Sequence, residues 1–245
     1  MRLILLLCFT SYGTQAFAQW QQSSWFHLDY TYTDFTYKEP GVMSEKGRLA
    51  GVRGEVGLNL LSWLALSAGG QYQDGNLNYD GSTFDGTPIK TVTKDYIRDT
   101  RALIHIVASS VSLSFGIAQR YWYDDLVISY RRRTRYDYKP IILTYHQNGL
   151  YVSYEHVLWD KGWNKSHMSD VDSNRRDPEF TLGKGSGMGV ELGYLMPGSR
   201  VSTRVFVKYH KWKVKESDIQ SDGTQALVEP NNNTTTYQIG IGLAF

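Results

Sequence analysis

Tyr237-Gln238-Ile239-Gly240-Ile241-Gly242-Leu243-Ala244-Phe245 closes the chain, and its reading decides the fold. Apolar side chains stand at every second position, the period of a β-strand. The alternate positions carry Gln, Gly and Ala. A soluble sandwich turns a charged face to water, whereas small residues suit the inside of a narrow barrel whose large apolar residues face outward to lipid.

The same alternation recurs upstream. Phe26, Leu28, Tyr30 and Tyr32 oppose His27 and Asp29, while Val52, Val56 and Leu58 oppose Arg53 and Glu55. Leu113, Phe115 and Ile117 oppose Ser112, Ser114 and Gly116, and Val190, Leu192 and Tyr194 oppose Glu191 and Gly193. Ten such runs can be counted, with eight as the alternative, because 94–107 and 133–146 are the least regular. Short links at about 59–62, 108–110, 147–149 and 196–199 alternate with long polar ones at 38–47, 74–94, 124–132, 160–184 and 215–233. Asn148-Gly149 is a strong hairpin signal. Tight turns at one end and long loops at the other predict an all-β, closed, antiparallel up-and-down transmembrane barrel.

Composition agrees with this reading. Eighteen Tyr, seven Trp and nine Phe among 245 residues favour strands, and a net charge of +2 gives no footprint for nucleic acid. Mean hydropathy is −0.40, and after residue 18 no run of apolar residues is long enough for a membrane-spanning helix. Residues 1–18 read as a cleaved secretory signal peptide: Met1-Arg2, an apolar core from Leu3 to Phe9, and Ala16-Phe17-Ala18. The barrel domain is then 19–245, and the only cysteine, Cys8, is lost with the leader.

The leader, the strand pattern and the run from Tyr237 to Phe245 resemble the outer-membrane β-barrel proteins of Gram-negative bacteria. The resemblance implies an outer-membrane location with extracellular loops and periplasmic termini. It also implies that the barrel-assembly machinery reads the terminal strand. Ten strands is also the count of the omptin surface proteases. Against their paired acidic and Asp-His arrangement this chain offers Asp74, Asp80, Asp85, His167, Asp170 and His210, none matching position by position. No catalytic residue is assigned, and the expected role is a surface-binding or envelope-structural barrel. A narrow channel for small solutes or ions is the alternative, and an omptin-like hydrolase the second.

Strand parity turns His27, Asp29, Arg53, Glu55, Asp99, Arg101, His105, Arg120, Glu155, Glu191, Arg204 and Lys208 into the lumen. In so narrow a space opposite charges should pair. Trp25, Trp63, Tyr72, Tyr121, Trp159, Tyr194, Tyr209 and Phe245 are expected at the two membrane interfaces, together with Tyr37, Trp122, Tyr123, Tyr136, Tyr138 and Tyr145. Arg131, Arg132, Arg133 and Arg135 at the rim suit the phosphates of lipopolysaccharide. Asp170-Val171-Asp172-Ser173-Asn174 opens like a calcium loop but has Arg175 where Gly is needed, so neither metal nor cofactor is expected. Outer-membrane lipid and lipopolysaccharide are the expected partners of a monomer.

Overall fold

The computed structural model describes residues 24–82, 86–126, 130–198 and 201–245. The expected leader with Cys8, and Asp85 of the Asp85-Gly86 pair, lie outside these. The strands are β1 (Ser24–Glu39), β2 (Met43–Leu61), β3 (Leu64–Ser82), β4 (Pro88–Ala108), β5 (Val111–Asp125), β6 (Arg131–Gln147), β7 (Leu150–Ser166), β8 (Glu179–Leu182), β9 (Gly185–Met196), β10 (Ser202–Val214), β11 (Ile219–Ser221), β12 (Ala226–Val228) and β13 (Asn232–Ala244). Ten of them form the wall. Each pairs antiparallel with its neighbour, β7 pairs with β9, β10 with β13, and β13 with β1, which closes the ring. The short β8 adds to the upper part of β7, and β11 with β12 forms a separate hairpin.

The short links fall where the sequence places them. At 147–150 the turn holds Asn148 and Gly149, both at positive φ (52° and 82°), the geometry whose twist matches a two-residue hairpin. The long links do not stay loops. β1 runs to Glu39 and β2 starts at Met43, so only 40–42 turn where 38–47 was expected to loop. Residues 74–82 and 88–94 are likewise strand, as are 124–125 and 131–132, while 83–85 and 127–129 lie outside the described residues. Wall strands reach 21 residues, against about 9–11 needed to cross a bilayer. The wall therefore stands well above the apolar belt. There the outward positions turn polar while Phe35, Tyr37, Leu49, Leu77 and Ile97 still face inward and are buried. A polar outer face had been read as a loop.

The belt is the outward face nearer the short turns. Ile117 is 65% exposed, Ile239 57% and Leu58 52%. Such a surface on a closed wall suits lipid, because every strand has two partners and no edge remains unpaired. Trp63, Tyr72, Tyr194 and Phe245 are exposed on this face, and half-buried on it Tyr121 stacks on Tyr96 while Tyr209 lies tilted against Tyr237. Two expected interface residues are not there. Trp25 is buried inside, edge-on to His105, and Trp159 packs inside against Tyr136 and Tyr138. Both share the parity of inward neighbours, His27 and Val157, and nearness to a strand end had outweighed that parity. Tyr37, Trp122, Tyr136 and Tyr138 are inward for the same reason.

Glycine on the inner face makes room for rings. A Cβ at Gly240 would lie 2.3 Å from the Phe206 ring, and one at Gly193 2.3 Å from Tyr151. The small residues of the terminal strand thus seat the large ones of its neighbours.

Ile241 sits mid-belt between Tyr30 and Val205. Ile241→Arg should cost ~2–4 kcal/mol in urea unfolding from bilayers. Thr36→Arg, above the belt on the neighbouring strand, should cost far less.

Candidate functional site

The lumen is layered. Nearest the short turns lies a cavity of about 170 Å³, lined by Trp25, His105, Ser114, Tyr151 and the charged side chains above them. His105 is held between Ser67 (2.8 Å) and Ser114 (2.7 Å). Above it, Arg53 meets Glu191 at 2.8 Å, and Arg204 joins Glu191 (2.7 Å) to Asp29 (3.0 Å). Tyr151 donates to Glu191 and accepts from Arg204, while both guanidiniums lie over the Phe206 ring. Arg101 pairs closely with Glu55, Lys208 with Glu155 (3.2 Å), and Arg120 with Asp99 (3.6 Å). His27 lines the cavity with them. All the side chains that parity turned inward therefore lie in the lumen, with acids beside bases.

Higher still, the lumen is filled. Phe35, Leu49, Leu77, Ile97 and Trp122 form one buried cluster; Ala118, Tyr138, Val157 and Trp212 form a second. Trp212 is 1% exposed and Leu77 0%. His210 is buried against Trp212.

Above the rings lies a charged knot. Arg132 donates to Glu39 (2.7 Å), Asp124 (2.9 and 3.1 Å) and Glu229 (3.4 Å), and stands 3.6 Å from Glu45. Its guanidinium lies 5.3 Å from the centres of Tyr37 and Trp122. Arg132 is 3% exposed, which corrects its assignment to a lipopolysaccharide-facing rim. Its neighbours in sequence do face outward: Arg131 holds Asp170 with two hydrogen bonds, Arg133 lies over Tyr123, and Arg135 pairs with Asp137. Alternation in β6 separates Arg132 from the other three.

The connecting segments cover this end. Arg175 binds Asp222, which is fully buried. Burial pushes the Asp222 carboxyl up, but the backbone N–H groups of Gln225 and Thr224 and the Arg175 guanidinium hold it well below the usual carboxylate range. His167 pairs with Asp177 at 3.1 Å, whereas Asp170 is engaged by Arg131, whose hydrogen bond lowers its pKa. Asp74 is exposed on the outer face, and Asp80 forms an exposed pair with Lys90 there, while His210 is inside. The acid and histidine positions weighed for hydrolysis are thus not brought together among the described residues. Asp172 caps Asn174, so the calcium-like stretch is occupied by its own backbone.

The residues that sequence reading missed are those of the knot: Glu39, Glu45, Asp95, Asp124 and Glu229. All but Glu229 continue the inward alternation of their strands through Tyr37, Met43, Thr93 and Trp122. Following parity past the polar outer positions would have found them.

No protein-family model and no curated protein matches the chain. Among solved structures it is similar to the outer membrane protease OmpT from Escherichia coli (TM-score 0.48, 11% identity, 91% of this chain and 94% of that one). It is also similar to the toluene transporter TodX of P. putida (0.39, 8%, 96% and 93%) and to Ail, the attachment invasion locus protein of Yersinia pestis (0.36, 9%, 91% and 100%). The chain is a closed, antiparallel ten-stranded β-barrel. These relatives in shape have different roles, and none is transferred to this chain by shape alone.

Arg204→Ala strands Asp29, at 0% side-chain exposure, while Glu191 keeps Arg53 and Tyr151, and should cost ~3–5 kcal/mol in chemical unfolding. Lys90→Ala, which breaks an exposed pair, should leave the unfolding midpoint unchanged.

Proposed function

We propose that this protein is a non-conducting barrel of the bacterial outer membrane, with its short turns and termini periplasmic and its long-loop end outside. It works as a rigid mount for a surface that meets an external partner or the envelope itself. The observation that carries this reading is the filled upper lumen: two ring clusters and a charge-locked Arg132 stand across the path from the polar cavity to the loop end. Transport through the barrel would need those rings to move together.

Several features support the placement. The apolar belt adjoins the short turns, as expected where short turns are periplasmic. On the outer face above the belt, Arg133, Arg135, Lys161 and Lys165 lie on the paired strands β6 and β7, a basic patch suited to lipopolysaccharide phosphates. The β1–β13 seam gives the terminal strand its closing role and supports its recognition by the barrel-assembly machinery. One chain closes the ring, so the reading is monomeric.

Reconstituted into planar bilayers, the wild type should give no defined single-channel steps. The variant Trp122→Ala with Trp212→Ala, checked for folding by heat-modifiable gel migration, should give them. Regular steps from the wild type would replace this reading with the narrow channel.

A further inference from the structure

The knot around Arg132 is not electrically balanced. Glu39, Glu45, Asp124 and Glu229 all take their ion pairs from Arg132, and Asp95 sits beside them on Thr93 and Trp122. Five carboxylates thus share one guanidinium, and each is less than one-tenth exposed. The lower lumen, by contrast, pairs its acids with several separate bases. Buried charge without compensation costs several kcal/mol per ion. Among the described residues, Arg132 is the base seen to pair with these acids.

Three of the five carboxylates converge. Glu45, Asp95 and Asp124 each offer an oxygen, and these oxygens lie within 4.8 Å of one another. Calcium binds oxygen at about 2.3–2.6 Å, so two ligands of one ion lie at most about 5 Å apart. A second observation concerns Glu45 alone. Its side chain is fully buried, and neither carboxylate oxygen has a hydrogen-bond donor among the described residues. Oδ1 of Asp124 is also without one, since Arg132 takes only Oδ2. The Asp95 oxygens each hold one donor, Trp122 on Oδ1 and Thr93 on Oδ2, leaving lone pairs free.

We propose that Glu45, Asp95 and Asp124 hold one divalent cation of the calcium type. The donors are all oxygen, as a hard cation prefers, and no thiol or imidazole is among them. Two positive charges bring the three ligands, Arg132 and Glu39 close to neutrality. The remaining acid, Glu229, stays on Arg132 at 3.4 Å. The ion would tie β2, β4 and β5 together above the Trp122 ring. Arg132 stays on the opposite oxygen of Asp124, as the second cation of the knot.

The competing account is a proton shared between the carboxyls of Glu45 and Asp124, which stand within hydrogen-bonding reach of each other. Terbium separates the two, since Trp122 touches a ligand and can sensitise a lanthanide in the site. Full-length protein extracted from membranes without chelator should carry near-stoichiometric calcium, and chelation followed by refolding should lower its Tm. Terbium added to the chelated protein should luminesce on tryptophan excitation, and calcium should compete. Glu45→Gln and Asp124→Asn should abolish the signal. Trp122→Phe, which keeps every ligand oxygen, should retain calcium while losing most of the sensitised emission. Metal-free native protein, no terbium signal, and a Tm that Glu45→Gln raises equally with calcium or chelator would overturn the proposal and assign the proton.

Discussion

Closure is the constraint on which everything else depends. The pairing of β1 with β13, from His27–Ala244 up to Lys38–Asn233, gives each of the ten wall strands a partner on both sides. A wall without an edge can stand in hydrocarbon, where an unpaired backbone group costs several kcal/mol. Once it stands there, the outward side chains of the belt must be apolar, and every charge in those strands must turn inward. The polar lumen follows from the lipid outside.

An inward charge then needs an answer at short range. In the lower lumen the answer is pairing: Arg53, Arg204, Glu191 and Asp29 form one network, with Arg101 and Lys208 binding Glu55 and Glu155 beside it. Aromatic rings complete it, and inner-face glycines make room for them. In the upper lumen the balance differs. Rings fill the middle, and above them acids gather round a single arginine. The first arrangement is self-sufficient, while the second calls for a cation or for protons. The same wall thus carries two electrostatic regimes, separated by Trp122, Tyr138 and Trp212.

The fold was legible because the signal is periodic. The run from Tyr237 to Phe245, Asn148-Gly149 and the parity of β1, β2 and β9 sufficed to place the wall, its hairpins and the lower charges. Two things were hidden. Trp25 and Trp159 were assigned outward because they sit near strand ends, although their inward neighbours His27 and Val157 fix the opposite side. The knot was hidden because 38–47, 74–94 and 124–132 look like loops: their outward residues, such as Lys46 and Lys94, are polar, as any surface above the membrane must be. Glu45 and Asp95 lie between them on the inner face. Polarity says where lipid ends; it does not say where the strand ends. Glu229 comes from a true connecting segment, and no periodic signal could have brought it to Arg132.

The central claim is that the lumen is open toward the short turns and shut toward the loops. A single cysteine in the reconstituted protein, with Cys8 replaced by Ser, tests it most directly. A cysteine at Ser153, which lines the cavity, should react with a membrane-impermeant thiol reagent added on the short-turn side and stay unmodified when it is added on the loop side. Comparable labelling from both sides would contradict the account, because it would require a water path past Trp122 and Trp212.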